Sequence, residues 1–241
     1  MSGLDGKVAI ITGATSGIGM ALARAFAARG MRLVLTGRRQ DRLDRLGAEL
    51  EHVRLLAGDI TDPALPQQLV DVATTEFGRL DVACNNAGLA AFGTIEEIDL
   101  ERVAEMVRVN VEAAFRFAYT VLRHFKAVND GYLINTSSLA GTKVRETVGP
   151  YAGTKHAIEA MAHALRLELA GTNVRVANIQ PGLVSTEIFD HMPPEARPGG
   201  PKASVQPLSP DDIARSVVFI LEQPANVSIP TLMIKPTGQA M

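Results

Sequence analysis

The chain is poor in the residues that build covalent or metal-based scaffolds. It has one cysteine, Cys84, among 241 residues, which excludes an intramolecular disulfide and a zinc site built on cysteines. Because Cys84 lies in an apolar run, we interpret it as a buried, inert thiol. The five histidines show no ligand spacing, so we expect no metal site.

Strong net charge and long apolar runs are also missing. The formal net charge is −2, which does not favour nucleic acid or anionic membrane as a partner. No segment has 18 continuous apolar residues, and residues 1–7 form no signal stretch. With 46% hydrophobic residues, the composition is typical of a soluble globular protein. We therefore expect a cytoplasmic protein that folds as one domain over residues 1–241.

Apolar, β-branched runs alternate with longer helical patterns. This alternation predicts a Rossmann-type α/β fold, a doubly wound parallel sheet of about seven strands with helices on both faces. The predicted strands are Val8–Thr12, Arg32–Thr36, His52–Ala57, Leu80–Cys84, Tyr132–Thr136, Val174–Ile179 and Thr231–Ile234. The predicted helices are Met20–Arg29, Arg39–Glu51, Pro63–Phe77, Leu100–Phe125, Ala152–Ala170 and Asp211–Glu222.

Residues 187–210 interrupt this rhythm with several prolines and two adjacent glycines. A loop of this length in a compact domain is usually functional or disordered. We interpret it as a substrate flap, and a plain surface connection is the alternative.

The first predicted strand runs into a glycine-rich turn that opens a helix. Glycine lets backbone N–H groups approach a phosphate closely, and the helix N-terminus favours its negative charge. The turn therefore predicts a cradle for a dinucleotide, although its spacing differs from G-x-G-x-x-G. A tight structural turn is the alternative. The cradle residues are Gly13, Thr15, Ser16, Gly17, Ile18 and Gly19.

The second predicted strand ends in arginines, where an NAD-selective site usually has a carboxylate. A guanidinium pairs with the 2′-phosphate of NADP(H), whereas a carboxylate repels it. We therefore predict NADP(H), with Arg38 as the phosphate ligand and Arg39 stacking on the adenine or adding charge. A solvated basic helix start is the alternative, which the helix dipole disfavours.

Tyr151 and Lys155 lie four residues apart and so share one face of a predicted helix. A free tyrosine has a pKa near ~10, and a nearby ammonium lowers it. General acid-base catalysis works best when the pKa approaches the working pH. We therefore predict Tyr151 as a proton donor whose pKa is lowered by Lys155.

Together these motifs resemble the short-chain dehydrogenase/reductase family from Val8 to Thr186. By this resemblance, Ser138 bonds the substrate oxygen, Asn110 holds a water that links Lys155 to solvent, and Lys155 also bonds the nicotinamide ribose. The remaining implied cofactor contacts are Asp59 and Ile60 at the adenine, the backbone of Asn86, Ala87 and Gly88, and the turn containing Pro181, Gly182, Val184 and Thr186.

The resemblance implies NADPH-dependent reduction of a carbonyl on a small organic molecule to an alcohol. The reaction is reversible hydride transfer with Tyr151 as general acid/base, in a homodimer or homotetramer. Alternatives are an NAD-linked alcohol, polyol or hydroxy-acid dehydrogenase and a non-catalytic NADP(H)-sensing regulator. The segment Ile234–Gln239 lacks the double glycine of many members. It is similar to the ending of a bacterial NADP-dependent subgroup that acts on small hydroxy acids or aldehydes.

Three segments are expected to wall the substrate pocket: Leu89–Thr94, Leu139–Gly149 and the chain after Thr186. Part of the wall is apolar. Lys143 and Arg145 either contact an anionic substrate or point into water. The apolar wall residues are Phe92, Ile188, Phe189 and Met192.

Overall fold

Seven parallel strands form one sheet in the order β3-β2-β1-β4-β5-β6-β7. The structure is a computed structural model that describes residues 3–190 and 205–240. All seven predicted strands are present within two or three residues of their predicted bounds. They are β1 (Val8–Thr12), β2 (Arg32–Gly37), β3 (Val53–Ala57), β4 (Val82–Asn85), β5 (Gly131–Thr136), β6 (Val174–Pro181) and β7 (Thr231–Ile234).

Helices cover both faces of the sheet, which confirms the Rossmann-type doubly wound fold. Helices α1, α2 and α7 pack on one face, and α3, α5 and α6 pack on the other. They are α1 (Gly17–Ala27), α2 (Gln40–Glu49), α3 (Leu65–Phe77), α4 (Leu100–Val107), α5 (Ala114–Val128), α6 (Gly149–Glu168) and α7 (Pro210–Leu221).

The central strands are mainly apolar because successive side chains point to opposite faces and both faces are covered. In β1, Val8 and Ile10 pack against one layer of helices, whereas Ala9 and Ile11 pack against the other. In neighbouring β4, Cys84 is 1% exposed. Its predicted burial is confirmed, and that burial raises the pKa of its thiol.

The long helix predicted over Leu100–Phe125 is interrupted. A π-helical turn at Arg108–Ala113 separates α4 from α5 and contains Asn110. The wider turn lets a polar residue leave the usual hydrogen-bond ladder, and such turns are frequent at functional sites. Here the side chain of Asn110 is buried beneath the sheet edge.

Two helices begin three residues earlier than predicted. Helix α1 starts at Gly17 instead of Met20, and α6 starts at Gly149 instead of Ala152. Pro150 fits the first turn of α6, where its missing N–H costs no hydrogen bond. Tyr151 therefore lies inside α6.

The predicted flap is described only in part. Residues Glu187–Phe189 form a 3₁₀ turn, and residues 191–204, including Met192, lie outside the described residues. Helix α7 begins with a capping box between Ser209 and Asp212, which stabilises its first turn. Among the described residues, no helix is long and apolar enough to cross a membrane.

Candidate active site

A cavity of about 980 Å³ opens at the carboxyl ends of the strands. All the predicted cofactor and catalytic residues line it except Gly19 and Asn110. One end, which we call the arginine end, carries Arg38 and Arg39 at the start of α2. The other, the tyrosine end, carries Ser138, Tyr151 and Lys155. In an open parallel sheet, this edge is where ligands bind.

The glycine turn is shaped by close backbone approach. Gly13 has φ +68°, and a Cβ there would lie 2.9 Å from the Cα of Ala87. Ser16, the N-cap of α1, makes no side-chain capping bond to any described residue, and the first turn of α1 has no acidic residue. The N–H groups of this helix start can therefore bind an anion, which fits the pyrophosphate of a dinucleotide.

Thr12 fixes the loop after β4 against β1, a role that the sequence did not suggest. Its hydroxyl accepts hydrogen bonds from the backbone N–H groups of Asn86 (2.9 Å) and Ala87 (3.0 Å). The Asn86 side chain donates to the Thr12 carbonyl at 2.9 Å and accepts from the hydroxyl of Thr136 at 3.1 Å. The floor of the cavity is thus tied to β1 and β5.

At the arginine end, the predicted phosphate ligand Arg38 and its neighbour Arg39 each already have a carboxylate partner. Arg38 lies 3.4 Å from Glu105, and Arg39 lies 2.7 Å from Glu187. The Arg39 guanidinium also donates to the Thr15 hydroxyl at 3.3 and 3.1 Å. These positions leave both guanidinium groups beside the cavity, where an incoming anion can reach them.

Asp59 lines the cavity close to Arg38. Its carboxylate accepts from the Thr61 N–H (2.9 Å) and the Thr61 hydroxyl (2.7 Å). Burial on its own raises the pKa of Asp59, but these bonds and the charge of Arg38 together lower it. Asp59 is therefore an ionised acceptor at neutral pH, as recognition of an adenine amino group requires.

At the tyrosine end, Lys155 is 6% exposed, and its ammonium donates to the Thr136 carbonyl at 2.8 Å. Burial lowers the pKa of Lys155 to about 8, against the opposing charge of Glu159. Burial also raises the pKa of Tyr151 to about 12, although a hydrogen bond with Ser138 acts in the opposite direction.

The prediction that Lys155 lowers the pKa of Tyr151 is therefore wrong for this structure. The Lys155 Nζ lies 5.7 Å from the centre of the Tyr151 ring and donates its hydrogen bond to the Thr136 carbonyl instead. Burial disfavours the charged phenolate, and this effect determines the direction of the shift in the pKa of Tyr151.

Asn110 lies behind the cavity wall and supports it. Its side chain accepts from the Leu89 N–H and donates to the Leu89 carbonyl, each at 2.8 Å. It also donates to the Thr154 hydroxyl at 3.2 Å. These bonds join the π-helical turn to the loop after β4 and to α6, and the water relay through Asn110 stays a prediction.

Aromatic rings close the substrate side. Phe92 meets the Tyr151 ring edge-on at 5.3 Å and stacks on Phe189 at 5.7 Å. Lys143 and Arg145 lie on the cavity wall and are exposed. All four residues stand in the segments that the sequence predicted.

Two further wall residues were not predicted from the sequence. Arg102, on α4, donates to the Ala90 carbonyl at 2.7 Å. Gln239, far along the chain, accepts from the Leu183 N–H at 2.9 Å. Both line the cavity because the tertiary fold brings distant parts of the chain together there.

Beneath the tyrosine end, buried asparagines link three strands. Asn85 donates to Asn135 and Asn135 donates to Asn178, each at 3.0 Å. Asn178 donates to Glu159 on α6 at 2.7 Å. We call these four residues the asparagine ladder. It fixes β4, β5 and β6 against the helix that carries Tyr151 and Lys155.

Known proteins share this arrangement. A family model described as short chain dehydrogenase matches residues 7–196. An uncharacterised oxidoreductase of Staphylococcus saprophyticus is 32% identical, with all of both chains covered, and one of Staphylococcus aureus is also 32% identical over 98% of this chain and 100% of its own.

Solved structures agree. The closed form of a serine dehydrogenase with NADP+ has a TM-score of 0.88 at 30% identity, with 97% of this chain and 96% of that chain covered. The alcohol dehydrogenase of Thermococcus sibiricus with 5-hydroxy-NADP has a TM-score of 0.86 at 32% identity, with 98% of each chain covered. The 3-ketoacyl-(acyl-carrier-protein) reductase of Brucella melitensis with NADH has a TM-score of 0.86 at 27% identity, again with 98% of each chain covered.

Cavity, motif order and these matches together place the chain among the oxidoreductases that are built on a single doubly wound sheet. It belongs to the short-chain dehydrogenase/reductase family.

Proposed function

We propose that this protein reduces a carbonyl group on a small organic molecule to an alcohol, reversibly, with NADPH as the reductant. One observation carries the proposal: a single cavity joins Ser138, Tyr151 and Lys155 at one end to Arg38 and Arg39 at the other. The NADP-containing serine and alcohol dehydrogenases that it resembles support the choice of cofactor.

The residues of the tyrosine end fit the proton transfer that accompanies this reduction. A bound reduced nicotinamide supplies the hydride. We expect the Ser138 hydroxyl to donate to the substrate oxygen and to stabilise the charge that develops there. Because the pKa of Tyr151 is about 12, its hydroxyl holds a proton at neutral pH and can give it to the same oxygen.

The cradle and the arginine end fit the cofactor. The start of α1 and the backbone of residues 86–88 bind the pyrophosphate side, and Asp59 accepts from the adenine amino group. Arg38 pairs with the 2′-phosphate. Lys155, held by Thr136, bonds the nicotinamide ribose and orients that end.

An NAD-linked alcohol dehydrogenase is the second candidate. Both arginines are already paired with carboxylates, Glu105 and Glu187, which opposes binding of a further anion. The relative that carries NADH in its structure also agrees with this alternative.

A titration with NADPH and with NADH, followed by the fluorescence of each cofactor, decides between them. We expect the wild-type protein to bind NADPH more tightly. Arg38→Asp should weaken NADPH binding by about 10- to 100-fold, the value of a charged hydrogen bond, and leave NADH binding within about threefold.

Arg45→Asp is the matched control. It makes the same charge change on α2, the helix that follows Arg38, at an exposed side chain that does not line the cavity, and should alter neither affinity. Tighter binding of NADH by the wild-type protein would overturn the cofactor assignment. With NADPH binding established, a panel of aldehydes and ketones then tests the reductase activity.

A further inference from the structure

Glu187 bridges two arginines at the mouth of the cavity. Its Oε2 lies 2.7 Å from Arg39, and its Oε1 lies 2.5 Å from Arg42. Glu187 comes directly after Thr186, on the chain that leaves β6, whereas both arginines belong to the start of α2. The two ion pairs therefore cross from one wall of the cavity to the other.

This bridge lies next to the phosphate cradle. A Cβ at Gly17 would stand 3.0 Å from Cγ2 of Thr186, so the chain carrying Glu187 packs against the glycine turn. Arg39 is held on the same turn by the Thr15 hydroxyl. The carboxylate of Glu187 thus sits where an anion attached to the adenosine ribose approaches Arg39.

The bridge also has the chemistry of an anion site. Two guanidinium groups that converge on the two oxygens of one carboxylate present the same donors that bind a phosphate. Two anions cannot share these donors without repulsion. A 2′-phosphate that reaches Arg39 and Arg42 must displace Glu187.

We propose that Glu187 is an internal competitor for the 2′-phosphate, and that it thereby sets how strongly the protein distinguishes NADPH from NADH. Arg42 is then a third cation of the arginine end, which becomes available to the phosphate when Glu187 leaves. This inference rests on the proposed function only in placing the 2′-phosphate of the cofactor at the arginine end.

The competition is expected to be moderate. The side chains of Arg39, Arg42 and Glu187 are 38–41% exposed, and an ion pair this exposed alters an equilibrium by up to about fivefold. Burial raises the pKa of Glu187, but Arg39 and Arg42 together lower it below its usual value. The competing charge is therefore present at neutral pH.

Glu187→Gln tests the competition because it removes the charge and nearly preserves the shape. Dissociation constants for NADPH and NADH are measured by cofactor fluorescence at low salt, without any carbonyl substrate. We expect the variant to bind NADPH about fivefold more tightly, and NADH within about twofold of the wild type. Unchanged NADH binding also shows that the variant is folded.

Glu49→Gln is the matched control. It removes the same charge from an exposed arginine pair, with Arg24 at 2.8 Å, away from the cavity lining. It should alter neither dissociation constant. If it tightened NADPH binding as much as Glu187→Gln does, the effect would belong to net charge and the inference would fail.

Weaker or unchanged NADPH binding in Glu187→Gln would show that Glu187 orients the arginines or is idle, and would overturn the inference. The wild-type constants report separately on the proposed function. A wild type that prefers NADH refutes the cofactor proposal even if Glu187→Gln shifts NADPH binding alone. A wild type that binds neither cofactor refutes both.

Discussion

The two ends of the cavity are built in opposite ways. At the arginine end, the charged side chains form ion pairs that are exposed to water. Arg38 and its partner Glu105, for example, are 58% and 43% exposed. At the tyrosine end, Lys155 is buried and held by one carbonyl. Asn110 behind it makes three hydrogen bonds. The arginine end can exchange its ion pairs for a ligand, whereas the residues of the tyrosine end are held in place by the protein's own hydrogen bonds.

This difference follows from hydration. An exposed ion pair contributes about 0–1 kcal/mol because water replaces either partner cheaply. A buried polar group without its partner costs about 1–3 kcal/mol. We therefore expect substitutions at the tyrosine end to have large effects. Substitutions that remove one contact at the arginine end, without reversing the charge of Arg38, should have small, graded effects on cofactor affinity.

The largest effect is expected for Tyr151→Phe. It keeps the ring that packs on Phe92 and removes the hydroxyl that we propose as the proton donor. Turnover with NADPH should fall about a thousandfold, the usual contribution of a general acid, while the NADPH dissociation constant stays within about threefold. Tyr119→Phe, on the exposed face of α5, should retain full activity, and full activity in Tyr151→Phe would contradict the proposed role.

The asparagine ladder should give the next largest effect, on stability. Asn135→Leu preserves approximate volume but leaves Asn178 without its donor. The free energy of unfolding in urea should fall by about 3 kcal/mol. Asn173→Leu, at an exposed position, serves as the control, and an unchanged urea midpoint for Asn135→Leu would show that the ladder is dispensable.

The pKa of Lys155 predicts a smaller, pH-dependent effect. It falls from 10.5 to about 8 in the folded protein, so between these values the unfolded chain binds more protons. The free energy of unfolding should then rise with pH, by about 2 kcal/mol between pH ~8 and ~10 relative to Lys155→Met. Comparison with this variant cancels Cys84 and other groups that titrate in both proteins. Equal pH dependence in the two proteins would mean that Lys155 keeps an ordinary pKa.

Thr15→Val should give the smallest effect, at the arginine end. It keeps the branched shape and removes the oxygen that accepts two bonds from Arg39. NADPH binding should weaken about threefold and NADH binding should be unchanged. Thr120→Val, whose hydroxyl bonds a carbonyl within α5, is the control. A loss of more than about 30-fold would mean that the two ends do not differ as described.

The sequence predicted the sheet well and the contacts within the site poorly. Apolar runs identify strands because burial on both faces leaves little room for polar residues. The asparagine ladder was missed because Asn85, Asn135 and Asn178 are neighbours only through strand register. Glu187 was missed for the same reason, since its partners lie 145 and 148 residues away.

The positions of the motif residues were predicted better because their spacing along the chain determines which of them lie close together. Tyr151 and Lys155 share a face of α6 by helical periodicity. Spacing does not predict how deeply these two side chains are buried. Burial raises the pKa of Tyr151, and only the packing of Phe92 and the surrounding loops determines that burial.

Because Cys84 is buried and is the single cysteine of the chain, its thiol can report on the opening of the sheet. Its sulfur lies in the middle strand of the sheet, with no second thiol in the chain to confuse the signal. A thiol reagent can label only molecules whose sheet has opened. The rate of labelling therefore measures the small fraction of open molecules at equilibrium. Any compound that binds the closed form should slow that labelling in proportion to its occupancy. Unknown substrates can thus be sought by mass spectrometry without an assay for turnover.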